Sequence, residues 1–318
     1  MNYARFLLRR LAFAALSAYL VVTATFALIS FTPNVDLGAK IASAMRFQNA
    51  SPAEIRQLRQ RYLERRGLDE SLLNQYVEWL VDVATLDWGY SFSFNRPVWD
   101  VLATRVPTTL EYVVPGVLLA VVFGVLFGLA AAMLRDTPVD AGVRVASYVL
   151  VGFPAYVALV FYTALSDATV VAVSGIPKVH AAMNPQILAS VTVALTLLAG
   201  QVRFARTASL EQAGREFVKL VQAKGGSRVR VARHVLRNAA IPIVSTSVTE
   251  MLGVLMLTIY VVEDVLGIDG LAGASLTAVR ERDLPLIIGT TMILVFIGIG
   301  GNLVQDVLYG YLDPRVAD

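Results

Sequence analysis

Apolar stretches recur along the chain at residues 11–32, 113–134, 145–165, 187–202, 241–262 and 286–304. Most come close to the ~20 residues that a helix needs to cross about 30 Å of hydrocarbon. Hydrocarbon offers no water to an unpaired backbone group, so a crossing segment must satisfy its own N–H and C=O groups, as a helix does. The expected fold is therefore all-α: a polytopic membrane protein with six transmembrane helices. Composition agrees, with 56% hydrophobic and 16% charged residues, against roughly 25% charged in an ordinary soluble domain. The fourth stretch is short, and Asn184-Pro185 blurs its start. The first follows Arg5, Arg9 and Arg10 as a signal sequence would. Its apolar run is longer than a typical signal core and no small-x-small cleavage site follows convincingly, so it is expected to remain as the first span.

Orientation follows from Lys and Arg in the short connecting segments, the long segment after the first span being exempt. With the N-terminus inside, the inner segments hold fifteen: Arg5, Arg9, Arg10, Arg135, Arg144, nine between residues 203 and 237, and Arg315. The outer short loops hold three: Lys178, Arg280 and Arg282. Both termini and residues 203–237 are therefore expected in the cytoplasm, and the chain in the cell membrane. The net charge of +3 is small. Its cations are interleaved with acids or flank apolar spans, where lipid phosphates account for them, so no nucleic-acid partner is expected.

Residues 33–112 form an expected external helical domain, between residues 1–32 and a transmembrane core at 113–308 that is followed by a tail at 309–318. Ser51-Pro52-Ala53-Glu54 is a capping box with proline at the first helical position, followed by Ile55, Leu58 and Tyr62 at helical spacing. Leu72, Leu73, Tyr76, Val77, Leu80 and Val81 form a second apolar stripe. Trp79, Trp88 and Trp99 all fall here, as interface anchors and packing or as ligand contacts.

Residues 203–237 carry nine basic residues against Glu211 and Glu216, with Ala223-Lys224-Gly225-Gly226-Ser227 in the middle. This reads as two short amphipathic helices joined by a glycine hinge. Phe217, Leu220 and Val221 share a face of the first; Ser227 caps the second, which carries Val231, Val235 and Ala239. Either a soluble partner grips this element, or it lies on anionic lipid, where each cation contributes about 1 kcal/mol.

Other features bound the chemistry. No G-x-x-x-x-G-K-[ST] phosphate loop is present, so ATP must be handled by another chain. There are no cysteines, hence no disulfides or thiolate metal sites, and His180 and His234 fall in different loops, so no cofactor is expected. A membrane hydrolase lacks its G-x-S-x-G. Gly124 and Gly128, and Gly298, Gly300 and Gly301, allow close helix approach, within the chain or to a sister subunit. Gly152-Phe153-Pro154 should kink the third span, as a static bend or a flexing point. Glu250 is an acid nine residues into the fifth span. A mid-bilayer charge costs roughly 2.5 to 3.5 kcal/mol, so it should face the bundle, pair with a cation or be protonated. Such an acid also suits an ion-coupled secondary carrier using Glu250, although such carriers usually show an internal repeat and none is evident.

A family resemblance runs through nearly the whole chain: Arg9-Arg10, Gln75-Tyr76 with Trp79-Leu80, Gly89-Tyr90-Ser91-Phe92, Arg96-Pro97-Val98 and Arg105-Val106-Pro107-Thr108-Thr109-Leu110. It continues through Ala223-Lys224-Gly225, Arg233-His234-Val235-Leu236-Arg237-Asn238-Ala239, Pro242, Glu263, Arg282-Asp283-Leu284-Pro285 and Leu312-Asp313-Pro314-Arg315. In their order and spacing these residues resemble the permease subunits of peptide/nickel-class, binding-protein-dependent ABC importers, specifically the subunit with the long external loop. The resemblance implies the type I importer permease fold. It also implies a heterodimer with a second homologous permease, two cytoplasmic ATPase subunits and an external substrate-binding protein. It places a coupling helix, which docks into an ATPase cleft, at Arg215, Phe217, Lys219, Leu220, Ala223, Lys224 and Gly225. Leu220, Val221 and Gln222 depart from the small residues and threonine usual there, implying a bulkier docking surface. The family geometry puts the fifth span, and Glu250 with it, along the central pathway; a hydrogen bond from Glu250 to a neighbouring helix is the other reading. The implied cargo is a di- or oligopeptide, with nickel, glutathione or oligosaccharide as related choices.

Overall fold

The structure, a computed structural model, describes residues 3–31, 38, 41–43, 45, 46, 51–65, 70–165 and 184–312. Its helices are α1 (Tyr3–Phe31), α2 (Pro52–Arg65), α3 (Leu72–Thr85), α4 (Val98–Met133), α5 (Pro138–Gly152), α6 (Ala155–Leu165), α7 (Pro185–Ala213), α8 (Glu216–Ala223), α9 (Arg228–Leu266), α10 (Leu271–Glu281) and α11 (Leu284–Leu312). A two-stranded antiparallel hairpin, β1 (Tyr90–Ser91) with β2 (Arg96–Pro97), precedes α4. The chain divides into two compact units, Ala15–Gly89 and Met1–Ala14 with Tyr90–Asp318.

In the smaller unit the expected capping box forms. Glu54 N donates to Ser51 Oγ at 3.4 Å, while Ser51 N at 2.7 Å and Ser51 Oγ at 2.8 Å donate to Glu54 Oε2 and hold its carboxyl below the usual range. Ser71 caps α3, accepting from Asn74 N at 3.3 Å. The α3 stripe is split: Tyr76 bonds Thr23 at 2.7 Å and Trp79 Nε1 donates to Val22 O at 3.2 Å, whereas Leu72, Leu73, Val77 and Val81 are exposed.

The larger unit contains the apolar bundle. Among the described residues four helical segments are long and apolar enough to cross a membrane: Arg5–Leu28, Val98–Met133, Pro185–Ala213 and Leu284–Leu308. Two bent pairs bring the total to as many as six. Pro138–Gly152 and Ala155–Phe161 meet at 62°, the break falling at the expected Gly152-Phe153-Pro154 kink. Met251–Leu266 and Leu271–Glu281 meet at 83°. The second helix starts at Val98 rather than 113, and Val98, Val101 and Leu102 are buried, so its added turns are packed rather than solvated. The fourth is also longer than expected, and Asn184-Pro185 is its beginning: Asn184 Oδ1 accepts from Gln186 N at 2.9 Å and Pro185 takes the first helical position, where no N–H is needed.

Small residues let α4 and α7 approach. Gly116, Ala120, Gly124 and Gly128 repeat every fourth position on one face of α4. A Cβ on Gly116 would fall 2.8 Å from Ser190 O, one on Gly128 2.6 Å from Ala205 Cβ, and one on Gly124 against Gln201 Cβ. The Gly124/Gly128 motif thus serves packing within the chain. In α11 a Cβ on Gly301 would sit 3.2 Å from Leu252, while Gly298 and Gly300 have nothing within 4 Å. Around this seam lies a core of Tyr112, Val193, Leu197, Ile259 and Val262.

The bend between α9 and α10 is held by a buried carboxylate. Glu263, 1% exposed, accepts from Thr109 Oγ1 at 2.5 Å, Tyr112 OH at 2.9 Å and Gly273 N at 2.8 Å. Thr109 Oγ1 in turn accepts from Leu271 N at 2.8 Å, so one hydroxyl joins α4 to both arms of the bend. Gly267, with φ +64°, makes the turn. Arg105 on α4 adds an ion pair with Asp269 at 2.8 Å. Nearby, Asp283 accepts from Ser91 Oγ at 2.6 Å and Ser93 N at 2.9 Å, tying the hairpin to the start of α11. Burial opposes its charge, but these donors outweigh it and hold the carboxyl below the usual range.

Gly270 leaves the room this carboxylate occupies. A Cβ there would collide with the Glu263 carboxylate and lie 2.5 Å from Thr109 Oγ1, whereas on Gly273 its nearest neighbour, Ile268 O, is 3.6 Å away. Gly270→Ala is expected to destabilise the protein by about 1 to 3 kcal/mol through overpacking, read as a lower thermal midpoint in detergent. Gly273→Ala should leave that midpoint nearly unchanged; equal effects would contradict the steric account.

Candidate functional site

The basic segment folds as a short helix across the base of a long one. α7 ends at Gly214, whose N–H donates to Leu210 O at 3.2 Å, and α8 covers eight residues, Glu216–Ala223. Its buried residue is Val218, which packs on Val231 and Val235 of α9 with Leu129 and Met133 of α4; Phe217 and Val221 flank it, half-buried. The shared face expected for Phe217, Leu220 and Val221 is therefore turned by one position. Contact with α9 centres on Val218 and leaves Leu220 57% exposed. Arg215, Lys219, Ala223, Lys224 and Gly225 are exposed as well.

The glycine pair has two separate duties. Gly225 adopts φ +74°, a conformation that strains any residue carrying a Cβ. Gly226 lies so close to α8 that a Cβ would stand 2.7 Å from both the side chain and the carbonyl of Val221, and its N–H donates to Val221 O at 2.9 Å. Ser227 then caps α9, accepting from Arg230 N at 3.3 Å.

The helix after this turn is not short. α9 runs for 39 residues, Arg228–Leu266, with Pro242 inside it, so the basic helix and the fifth apolar segment are one rod. Ala239 and Ile243 bury against Ala205 and Ala208 of α7, which holds the helix on both sides of the proline. Glu250 lies in α9; its side chain is outside the described residues. Nor do all nine cations face outward together. Arg206 makes a bidentate pair with the fully buried Asp140 of α5, Nε to Oδ1 at 2.7 Å and Nη2 to Oδ2 at 2.9 Å.

Three buried carboxylates thus escaped the sequence reading, among them Asp283, whose partner Ser91 is 192 residues away. Glu263 stood one residue beyond the expected fifth span, and its hydroxyl partners are 154 and 151 residues away. Asp140 and Arg206 are 66 residues apart. The sequence offered only weak signs: Glu263 and Thr109 both belong to the runs that carry the resemblance, and Asp140 sits in the first turn of a proline-initiated helix.

Comparison with known proteins agrees with this architecture. Residues 124–318 match the family described as binding-protein-dependent transport system inner membrane component, and residues 3–113 match the family of its N-terminal part. A dipeptide transport system permease protein of Lactococcus lactis subsp. cremoris is 26% identical over 318 residues, covering 98% of this chain and 99% of its own. An oligopeptide transport system permease protein of Bacillus subtilis is 27% identical over 268 residues, 81% of this chain and 84% of its own. A glutathione transport system permease protein of Shigella flexneri is 31% identical over 252 residues, 79% and 81% of the two. A membrane bundle of this form, matched by family over most of its length, is a permease, and the chain belongs to the inner-membrane components of binding-protein-dependent transport systems.

Proposed function

We propose that the chain is one of two homologous permeases in an ATP-driven importer of di- or oligopeptides, and that α8 is the helix through which a cytoplasmic ATPase drives it. The observation that carries this is the division of α8 into two faces. Val218 anchors one on α9, and the other presents Lys219, Leu220 and Ala223. A partner gripping that exposed face would push directly on α9, which continues unbroken into the membrane. ATP hydrolysis belongs to the partner subunits, and an external binding protein delivers the cargo. The peptide reading draws on the dipeptide and oligopeptide systems of two relatives. Family membership favours this importer over the ion-coupled carrier. In the proposed division residues 1–32 hold the first span, 33–112 the external domain, 113–308 the permease core and 309–318 a cytoplasmic tail.

Gly225→Val tests the coupling role. Forcing a β-branched residue to φ +74° costs roughly 1 to 3 kcal/mol, locally, at the turn that sets the angle of α8. The expected result is an assembled complex that still hydrolyses ATP while cargo uptake into vesicles falls. Normal uptake would remove α8 from the coupling role.

The proposed orientation, both termini in the cytoplasm, rests on the fifteen-to-three bias of Lys and Arg. Because the chain has no cysteine, Glu78→Cys and Lys224→Cys each introduce a single reactive thiol at an exposed position. An impermeant maleimide should label Glu78→Cys only from outside and Lys224→Cys only from inside. Labelling of both from one face would overturn the orientation.

Glu250 is proposed to face the translocation pathway, where its charge would meet a passing ammonium group. Glu250→Gln keeps shape and hydrogen bonding and removes charge. Uptake of cationic peptides should fall more than uptake of neutral ones; equal losses, or none, would leave Glu250 without this role.

A further inference from the structure

Two adjoining cavities lie along α5, α7 and α9, and they differ in chemistry. The first, about 560 Å3, is lined by Arg144, Tyr148, Arg203, Arg206, Thr207 and Glu211 among others. The second, about 300 Å3, is lined mainly by apolar side chains, including Leu150, Val151, Leu197, Met251, Val254 and Leu257. Arg203 and Phe204 line both, so the two meet at these residues. Val254 and Leu257 recur with Glu250 at helical spacing on one face of α9. If that face lines the translocation pathway, the second cavity opens on the pathway too.

Charge and size limit what fits. Arg206 is taken up by Asp140 at 2.7 Å, and Arg144 reaches the same carboxylate only at 3.7 Å, with its side chain 47% exposed. Arg203 is exposed and has no ion pair among the described residues. Against these three arginines stand Asp140 and Glu211, which leaves one net positive charge in the first cavity, so a fitting ligand is anionic there. The second cavity, about 300 Å3, is at the small end of the roughly 300 to 1,000 Å3 usual for ligand pockets. It has room for an apolar side chain rather than for a whole oligopeptide. An inorganic anion would use the first cavity alone, and an apolar solute the second alone. Only a molecule that carries a carboxylate and an apolar group side by side can use both, and only where they meet. The C-terminal residue of a peptide is such a molecule in miniature, since its carboxylate and side chain branch from one Cα.

We propose that the junction of the two cavities is a cargo subsite, resting on the peptide-importer reading above: Arg203 takes a carboxylate of the peptide, from its C-terminus or from an acidic side chain, and the neighbouring apolar side chain of the cargo enters the second cavity. The guanidinium fork of Arg203 matches a carboxylate bidentately, and Arg144, lining the same cavity, adds a second cation. On this assignment the pathway carries a cation for the cargo's carboxylate as well as Glu250 for its ammonium group, which suits a zwitterionic peptide better than either charge alone.

The test uses the complete complex of both permeases and the ATPase subunits, with Val254→Cys in this chain. The chain has no other cysteine, so maleimide labelling, read from the mass of this chain, reports access to the second cavity. The probes are the dipeptide Ala-Leu, its C-terminal amide and the C-terminal amide of Asp-Leu. Ala-Leu should slow labelling, and its amide should need roughly tenfold more for the same protection, from the loss of a charge-assisted pair. The amide of Asp-Leu distinguishes the sources: protection equal to that of Ala-Leu assigns the subsite to acidic side chains as well, and weak protection assigns it to the C-terminal carboxylate. Adding Arg203→Gln should abolish the advantage of Ala-Leu over its amide, and adding Arg203→Lys should keep most of it. Co-purification of all subunits shows that each variant assembles. ATP-driven uptake of Ala-Leu into vesicles, with the binding protein supplied, is measured in parallel on the wild-type complex. Uptake accompanied by equal protection from Ala-Leu and its amide, by an advantage that survives Arg203→Gln, or by a Val254→Cys thiol that the sister permease keeps from reacting would overturn the subsite and leave the importer standing. A wild-type complex that takes up no peptide would overturn the peptide-importer reading, and the subsite with it.

Discussion

Thr109 and Glu263 share a hydrogen bond that joins residues 154 positions apart, and the order of one end of the bundle depends on it. A carboxylate 1% exposed must be supplied with donors, because leaving it unpaired costs far more than any single packing contact returns. Here the donors come from two hydroxyls on α4 and an amide of α10, so the carboxylate can be satisfied only when three helices are already in place. Gly267 turns the chain back and Gly270 leaves room for the carboxylate. The bend between α9 and α10 is thereby made specific rather than merely possible.

The opposite end of the bundle uses the same logic with a different partner. Asp140, fully buried, is neutralised by the planar fork of Arg206, which ties α5 to α7. Between these two polar fastenings the helices meet through small side chains, with Gly116, Ala120, Gly124 and Gly128 setting the distance between α4 and α7. In lipid there is no apolar driving force between helices comparable to that in water, so close van der Waals approach and a few polar links carry the association. α8 rests on the resulting bundle through Val218, and α9 runs from that contact to the Glu263 bend without a break. One continuous helix therefore connects the contact with α8 to the buried carboxylate.

Local signals in the chain were sufficient for much of this. Ser51 with Glu54 and Ser227 act as helix caps as read, because capping depends on three or four successive residues and little else. The kink at Gly152-Phe153-Pro154 likewise follows from proline's missing donor and its clash with the preceding turn. Val218 was not singled out because helical periodicity reports which residues share a face, not which face a neighbouring helix will cover. The length of α9 was misread because the basic helix and the fifth apolar segment were taken as separate elements, while packing of Ala239 and Ile243 on α7 holds one helix together around Pro242.

The sequence by itself determined that the chain lies in a membrane as a set of helices, where they cap and kink, and that its basic segment turns at Gly225. Lipid forces the helices, and the caps and turns are short-range chemistry. Only the tertiary structure decided that Asp140 and Glu263 are enclosed, that Arg206 belongs to Asp140, and that Val218 anchors α8. Each of these depends on groups brought together from 66 to 154 residues apart, or on the orientation of one helix against another. A one-dimensional pattern of apolar positions carries no record of such pairings.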